Sequence, residues 1–159
     1  MHLPPFQDLV DAHWRDVGRL AHALAGPGDG DDVAQQAWMQ AYAAYPRLRT
    51  AGNLRGWLLT ITHRCAMDSH RARARRAVPT EDGAVARAGD RAVAGPDDHH
   101  VDVELWQRVA RLPERQREAV VLKYVGDLDH PMIAELLGTT PTMSRRLVSD
   151  GLKALREAS

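Results

Sequence analysis

The sequence predicts an all-helical protein made of two small helical domains joined by a flexible linker. Its 159 residues suffice for one domain or two small ones. Aromatic residues make up only 5% of the chain, and abundant Ala, Leu and Arg favour helix over strand. Segments with helical apolar spacing flank a stretch rich in Ala, Gly and Asp. We therefore expect domains at residues 1–77 and 101–159, with the linker at 78–100.

The first domain is predicted to hold three helices, each marked by an apolar stripe. The first runs from about Phe6 to Ala25, the second from Asp31 to Tyr45 and the third from Asn53 to Arg76. Trp38 and Trp57 are expected to pack between them. The sequence thus predicts a three-helix bundle.

The second domain is predicted to end in a helix-turn-helix between Leu128 and Leu155. Helices near Val103–Arg111 and Pro113–Val125 precede it. Gly138 permits the turn, and Thr140 before Pro141 is a typical helix start, because its hydroxyl accepts an unpaired N–H. The second helix of the pair should run from Thr140 to about Ala158. An ordinary helical hairpin would share the same apolar stripe, so the pattern alone leaves both readings open.

Charge is unevenly distributed, although the formal net charge is zero. Residues 47–76 contain eight arginines and one acid, Asp68, and two histidines there add possible cations. Residues 27–46 contain Asp29, Asp31 and Asp32 and no Lys or Arg. The basic helix suits phosphate and the acidic one suits a basic protein surface.

Several classes of function are not expected. The chain has no run of eighteen apolar residues and no signal-peptide pattern, so we expect a cytoplasmic protein without membrane insertion. Cys65 is expected to be a small buried hydrophobe, with redox sensing as the alternative. His99 and His100 lie near several aspartates, a combination that can bind metal. A polar linker is nevertheless the favoured interpretation of this segment. With no phosphate loop, nucleophile elbow or zinc spacing, no catalytic residue, cofactor or metal is expected, and the chain is not expected to be an enzyme.

Two sets of motifs resemble a known family. DDVAQQAWMQAYAAYPRL followed by NLRGWLLTITHRCAMDSHRARARR is similar to region 2 of bacterial sigma factors. LPERQREAVVLKYVGDLDHPMIAELLG resembles the opening of region 4. With no domain between them, the chain resembles the extracytoplasmic-function (ECF) subfamily of RNA polymerase sigma factors. The resemblance implies a protein that binds core polymerase and directs promoter recognition and DNA opening.

The resemblance implies that the second helix docks on the coiled-coil clamp of the polymerase β′ subunit. The family usually has Glu where this chain has Gln36, so some loss of affinity for core polymerase is expected. The alternative is that the two aspartates only cap the helix and favour its positive end. The matching positions are Asp31, Asp32, Gln35, Gln36 and Met39.

The resemblance also implies that the loop from Arg47 to Asn53 reads the minus-ten element, with the third helix running along the separated strand. The family often has Asn where this chain has Arg64, and commonly has Arg at His63, so its base preference does not transfer. The predicted minus-ten contacts are Arg47, Arg49, Asn53, Arg55, His63, Arg64, Arg71, Arg73, Arg75 and Arg76.

The terminal helix pair is implied to read the minus-thirty-five element, while region 4 rests on the flap of the β subunit. Leu147 and Asp150 stand where the family usually has Arg, and a carboxylate near phosphate is repelled. We therefore expect weak or unusual binding there. Asp150 is also placed four residues after Arg146, where it can form an ordinary surface ion pair, and the sequence does not decide between these two roles. The predicted contacts are Thr140, Thr142, Met143, Arg145, Arg146 and Ser149.

Two other functions stay open at this point. One is a sigma-like regulator that docks on polymerase but has lost minus-thirty-five recognition, as Asp150 in the recognition helix suggests. The other is a free-standing helix-turn-helix repressor, which gives the acidic and basic helices no purpose. An anti-sigma factor is a further candidate partner from the subfamily.

Overall fold

The computed structural model describes residues 2–76 and 103–157, and every regular element in these two ranges is helical. The chain divides into two compact units, the first with three α-helices and a short 3-10 turn and the second with four α-helices. The all-helical prediction is confirmed. The predicted linker lies outside the described residues, so its limits stay a prediction. The elements are α1 (Phe6–Ala25), α2 (Gly30–Ala44), a 3-10 turn (Tyr45–Arg47), α3 (Leu54–Arg76), α4 (Val103–Ala110), α5 (Glu114–Tyr124), α6 (His130–Leu137) and α7 (Pro141–Glu157).

The first unit is a bundle in which α1, α2 and α3 each pack against the other two. Leu20 and Leu59 are fully buried at its centre, and burial of each such side chain contributes about 1.5–3 kcal/mol. Ala21 on α1 and Ala41 on α2 are also fully buried, and their small side chains let the helices approach closely. The bundle therefore presents α2 and α3 on one rigid support.

The connection from α1 to α2 is tight because two glycines shape it. Gly26 ends α1 with a φ of 85°, a conformation that glycine adopts without strain. A Cβ on Gly30 would lie 2.5 Å from Cδ2 of His22, so only glycine lets the start of α2 sit against this ring. The acidic first turn of α2 is thereby held beside the end of α1.

The second unit holds the predicted helix-turn-helix, formed by α6 and α7 and packed on α5. Gly138 has a φ of 67° at the turn, and the Thr140 hydroxyl accepts a hydrogen bond from the Met143 amide at 3.1 Å. A Cβ on Gly151 would lie 2.6 Å from Cγ2 of Val120, so α7 crosses α5 at close range. The turn, the cap and the start of α7 at Pro141 are confirmed.

Candidate nucleic-acid and protein interfaces

The predicted polymerase-docking residues form one exposed face of α2, which we name the acidic surface. They recur every three or four residues, and side chains at this spacing share one side of a helix. Met39 is 66% exposed although it is apolar, so the surface combines charge with an uncovered hydrophobic group. All five members are exposed: Asp31, Asp32, Gln35, Gln36 and Met39.

The two aspartates of the acidic surface lie in the first turn of α2 and do not cap it. Asp29 is the residue that precedes the helix, and no side chain makes a cap hydrogen bond there. Asp31 instead contacts His22, with Nε2 and Oδ1 3.2 Å apart, and stays 85% exposed. Their negative charge still favours the positive end of the helix. This leaves both carboxylates accessible to a partner.

Tyr42 extends the acidic surface and was missed from the sequence. It is 67% exposed, and its ring packs edge-on against Phe6 with centroids 5.2 Å apart. Its position three residues after Met39 was a signal that could have found it, because that spacing continues the same helical face. Exposed aromatic groups of this kind are enriched where proteins bind one another.

The predicted minus-ten loop is anchored at both ends. At its start, the Tyr45 hydroxyl donates to the Pro4 carbonyl and the ring packs against Trp57 with centroids 6.2 Å apart. At its end, Asn53 Oδ1 accepts the Gly56 amide at 2.9 Å and so caps α3. The cap uses an oxygen that we had predicted for DNA contact.

The arginines near this loop differ in their contacts. Arg47 and Arg49 are exposed. Arg55, in contrast, is partly buried, and its Nε donates to Asp16 on α1 at 3.1 Å. Among these three predicted contacts, the two in the loop are the more available for DNA.

His63, which the sequence predicted as a DNA contact on the exposed side of α3, is buried instead. The residue is only 5% exposed and lies on the inward side of α3. The reason is that α3 packs against α1 and α2 together, so its buried face is wider than the single apolar stripe that the sequence showed. Thr62 and Ala66 are fully buried on this second stripe.

The other arginines of α3 do not form one continuous row. Arg64, Arg75 and Arg76 are exposed, whereas Arg71 pairs with Asp68 and Arg73 pairs with Asp29. The helix has 23 residues and, at 1.5 Å per residue, spans about 34 Å. The predicted loop and the last arginines are thus at opposite ends of α3, so they are placed for different stretches of nucleic acid.

The recognition helix α7 presents a mixed polar face. Met143 is 40% exposed, and Arg146 Nε lies 3.8 Å from Asp150 Oδ2, so the two side chains form the surface ion pair that the sequence left open. Thr140 is exposed, although its hydroxyl serves as the cap. The remaining predicted contacts, Thr142, Arg145 and Ser149, are exposed.

A buried polar contact joins the two helices of the helix-turn-helix. Ser144 is fully buried on α7, and its hydroxyl lies 2.9 Å from Nδ1 of His130 on α6. Burial lowers the pKa of His130, and the charges of Lys123 and Arg145 lower it further against the opposing effect of Asp129. The imidazole is therefore uncharged at neutral pH.

Other kinds of site receive little support in the described residues. No group of three His, Cys, Asp or Glu side chains in residues 2–76 and 103–157 is arranged to hold a metal ion. The His99 and His100 cluster lies outside these ranges. Cys65 is buried, as expected, and burial together with Asp68 raises the pKa of its thiol. Within the described part of the chain, no helix is long and apolar enough to cross a membrane.

Comparison with known families gives two matches in chain order. Residues 9–76 match the family model described as "Sigma-70 region 2", which covers most of the first unit. Residues 102–155 match the model described as "Sigma-70, region 4", which covers most of the second unit. Together the two models match more than half of the chain.

Relatives and solved structures agree with these matches. The chain is 30% identical to the ECF RNA polymerase sigma factor SigK of Mycolicibacterium vanbaalenii, over 90% of this chain and 75% of the relative. It is 27% identical to the ECF RNA polymerase sigma factor SigW of Bacillus subtilis, over 96% and 87%. Its fold is similar to that of the sigma factor RpoE from Bartonella quintana, solved with the anti-sigma factor NepR. That likeness has a TM-score of 0.77 at 21% identity, over 96% and 94% of the two chains. The two family matches and the SigK relationship show that the chain belongs to the ECF subfamily of sigma-70-type RNA polymerase sigma factors.

Proposed function

We propose that this chain binds core RNA polymerase through its acidic surface and directs recognition and opening of promoter DNA. One observation carries the proposal: exposed carboxylates on α2 and exposed guanidinium groups on α3 occupy separate helices of one rigid unit. A carboxylate surface attracts a basic protein partner, whereas arginines bind phosphate. The coiled-coil clamp of the β′ subunit is the proposed docking partner for the acidic surface, extended by Tyr42.

We assign minus-ten recognition and strand capture to the loop before α3 and to the exposed arginines of α3. Arg47 and Arg49 are free to meet a base or phosphate in the loop, and Arg64 lies about three helical turns into α3. Arg55, Arg71 and Arg73 reach DNA only by exchanging a carboxylate for a phosphate. The pairs of Arg71 and Arg73 reach solvent, and exposed ion pairs are worth about 0–1 kcal/mol, so phosphate competes with these two.

We assign minus-thirty-five recognition to α7, with the second unit resting on the flap of the β subunit. The exposed residues at its start face outward as a recognition helix requires. Asp150 is half-exposed on the same helix and pairs with Arg146, a predicted DNA contact, so its carboxylate competes with phosphate for that arginine and this contact should be weak. RNA synthesis belongs to the polymerase in this scheme, and the chain acts in the cytoplasm without a cofactor.

Transcription with purified core polymerase on genomic DNA tests the proposal. We expect promoter-dependent transcripts that are made only when this chain is present. The double variant Asp31→Asn/Asp32→Asn should lower the amount of these transcripts about tenfold or more, because it loses two charges at the docking surface. The matched control is Asp8→Asn/Asp11→Asn, which removes two exposed charges from α1. Equal activity of the two double variants would refute docking through the acidic surface.

A second candidate function, a polymerase-bound regulator without promoter recognition, is favoured by the carboxylate of Asp150 in the recognition helix. Stable binding to core polymerase without any transcript would support it and exclude the first proposal. Binding of duplex DNA by the chain alone, with no affinity for polymerase, would instead indicate a free-standing repressor.

We also propose an anti-sigma factor as a partner. The support is the likeness in fold to RpoE, which was solved in complex with the anti-sigma factor NepR. An inhibitor that covers the acidic surface would compete with core polymerase. The Asp31→Asn/Asp32→Asn variant should therefore lower the affinity for the anti-sigma factor and for core polymerase together.

A further inference from the structure

An ion pair ties the basic end of α3 to the turn that precedes α2. Arg73 Nη2 lies 2.5 Å from Asp29 Oδ2, and the two side chains are 42% and 26% exposed. Asp29 is the residue before α2, yet its carboxylate makes no cap hydrogen bond to that helix. The carboxylate is therefore directed to an arginine of the DNA-binding helix.

The same end of α3 has a second attachment that does not depend on this pair. His70 lies one turn before Arg73, and its Nε2 donates to the Leu24 carbonyl at the end of α1 at 2.8 Å. The acceptor is one of the last carbonyls of α1, which have no partner within that helix. This bond contains no carboxylate, so α3 stays attached to α1 if Arg73 changes partner.

A DNA phosphate offers Arg73 the same chemistry that Asp29 offers. Both present anionic oxygens that accept charge-assisted hydrogen bonds from a guanidinium group. The pair is accessible to solvent, and exposed ion pairs are worth about 0–1 kcal/mol. A released Asp29 would still lie at the N-terminal end of α2, where the helix dipole favours negative charge. Replacing Asp29 by a phosphate as the partner of Arg73 therefore costs little free energy.

We propose that Asp29 is an internal substitute for phosphate, which occupies Arg73 until promoter DNA takes it and so sets the DNA affinity at this end of α3. The inference rests on the proposed function of α3 as a DNA-binding helix. It adds a residue from the α1–α2 turn, outside the predicted DNA contacts, that limits how tightly the chain holds DNA.

The neighbouring pair of Arg71 with Asp68 supplies a matched control. It joins two residues of the same helix, both well exposed, and does not involve the turn before α2. Asp29→Asn and Asp68→Asn remove the same charge within the same unit. Only the first frees Arg73.

The experiment measures binding of the holoenzyme to a fluorescently labelled forked DNA that joins a duplex to a single strand. We expect Asp29→Asn to tighten binding about two- to fivefold at low salt, the range set by an exposed ion pair. In a chain that also carries Arg73→Gln, Asp29→Asn should have no effect, whereas the effect of Asp68→Asn should be the same in both backgrounds.

Two results would overturn the inference. If Asp29→Asn tightens binding equally with and without Arg73, the residue acts through general charge. If Asp29→Asn leaves the affinity of a folded chain unchanged, or weakens it, the pair only fastens α3. Thermal melting followed by circular dichroism establishes folding.

Should Asp29→Asn unfold the chain, carbon NMR of the unsubstituted protein decides. The carboxyl signal of Asp29 should shift when the forked DNA is added, and its constancy at saturating DNA refutes the exchange. Absence of promoter-dependent transcripts refutes the proposed function instead, whereas active transcription with no effect of Asp29→Asn refutes only this inference.

Discussion

Among individual side chains, the carboxylate partner of each arginine decides how available that arginine is. Arg55, Arg71 and Arg73 have partners on α1, on α3 itself and before α2, respectively. The exposed arginines at the two ends of α3 carry no such contact within the described residues. The basic character of residues 47–76 therefore overstates the positive charge that is free of an internal partner.

His130 gives a pH-dependent prediction. Burial and the charges of Lys123 and Arg145 lower its pKa in the folded chain. The unfolded chain therefore takes up the proton first as the pH falls. The stabilisation is complete above the ordinary histidine pKa of about 6.5 and is lost as the pH falls through the folded value. We expect the ring signals of His130 to titrate below pH 6.5 in a proton NMR titration.

Two variants check the cause of this shift. Lys123→Gln removes a nearby charge and should raise the midpoint of His130. His130→Gln removes the titrating group and should make unfolding in urea less sensitive to mild acid. A midpoint above 6.5 in the unsubstituted chain would contradict the assignment.

Between helices, two glycines in helical segments predict opposite effects. Gly151→Ala places a methyl group 2.6 Å from the stiff, branched Val120 side chain. Overpacking costs about 1–3 kcal/mol, which outweighs the gain of about 1 kcal/mol in helix propensity. Gly18→Ala has no neighbour within 4 Å and should stabilise α1 by about 1 kcal/mol.

Hydrogen exchange of the helix amides measures both effects, because it reports on each unit separately. We expect faster exchange in α7 for Gly151→Ala and slower exchange in α1 for Gly18→Ala. Val120→Ala added to Gly151→Ala makes room for the methyl group and should recover part of the loss. Slower exchange in α7 for Gly151→Ala alone would show that the crossing is loose.

The helices and their ends could largely be predicted because their signals are local. The predicted Phe6–Ala25 helix has the observed limits, and Gly138, Thr140 and Pro141 mark the turn and the start of α7 as expected. Each of these signals depends on backbone geometry within a few residues. Signals from residues close together in the sequence were therefore sufficient to predict this part of the fold.

The availability of the candidate site residues could not be predicted, because it depends on contacts distant in sequence. Arg55 and Asp16 are 39 residues apart, and no local pattern pairs them. From the sequence, His63 was placed on the exposed side of α3, because the sequence showed only one apolar stripe along this helix. Its burial by two helices at once is a property of the bundle. Tyr42, in contrast, could have been recognised from its spacing.

Across the chain as a whole, a formal net charge of zero conceals uneven local charge, and Asp150 places a carboxylate on the helix that we propose reads the minus-thirty-five element. Asp150→Arg should raise affinity for duplex promoter DNA about tenfold, because a hydrogen bond to a charged group is worth about 1.5 kcal/mol. It should also steepen the dependence of log affinity on log salt by about 1. Fluorescence anisotropy over a salt series measures both.

The control for that prediction is Glu114→Arg, which makes the same charge change on α5. It should alter affinity less than Asp150→Arg and leave the salt dependence nearly unchanged. Equal effects of the two variants would mean that α7 holds no special position on DNA.

The acidic surface predicts a gain from restoring the charge that the family usually carries at Gln36. Gln36→Glu should tighten binding to core polymerase about two- to fivefold, because a single exposed charge contributes up to about 1 kcal/mol. Gln7→Glu makes the same change on an exposed position of α1, away from the acidic surface. Competition for core polymerase measures both, and an equal gain from Gln7→Glu would argue against a specific docking face.

The length of α3 separates the loop that we propose selects the DNA sequence from the arginines at the end of the helix. Its 23 residues keep residues 47–53 far from the arginines near Arg76. Transplanting only that loop from another member of the subfamily should therefore change the preferred minus-ten sequence, while the distant arginines of α3 and the minus-thirty-five contact of α7 stay as they are. The loop that we propose chooses the DNA sequence can thus be exchanged without changing the distant arginines, which suits the protein to building mutually independent gene switches.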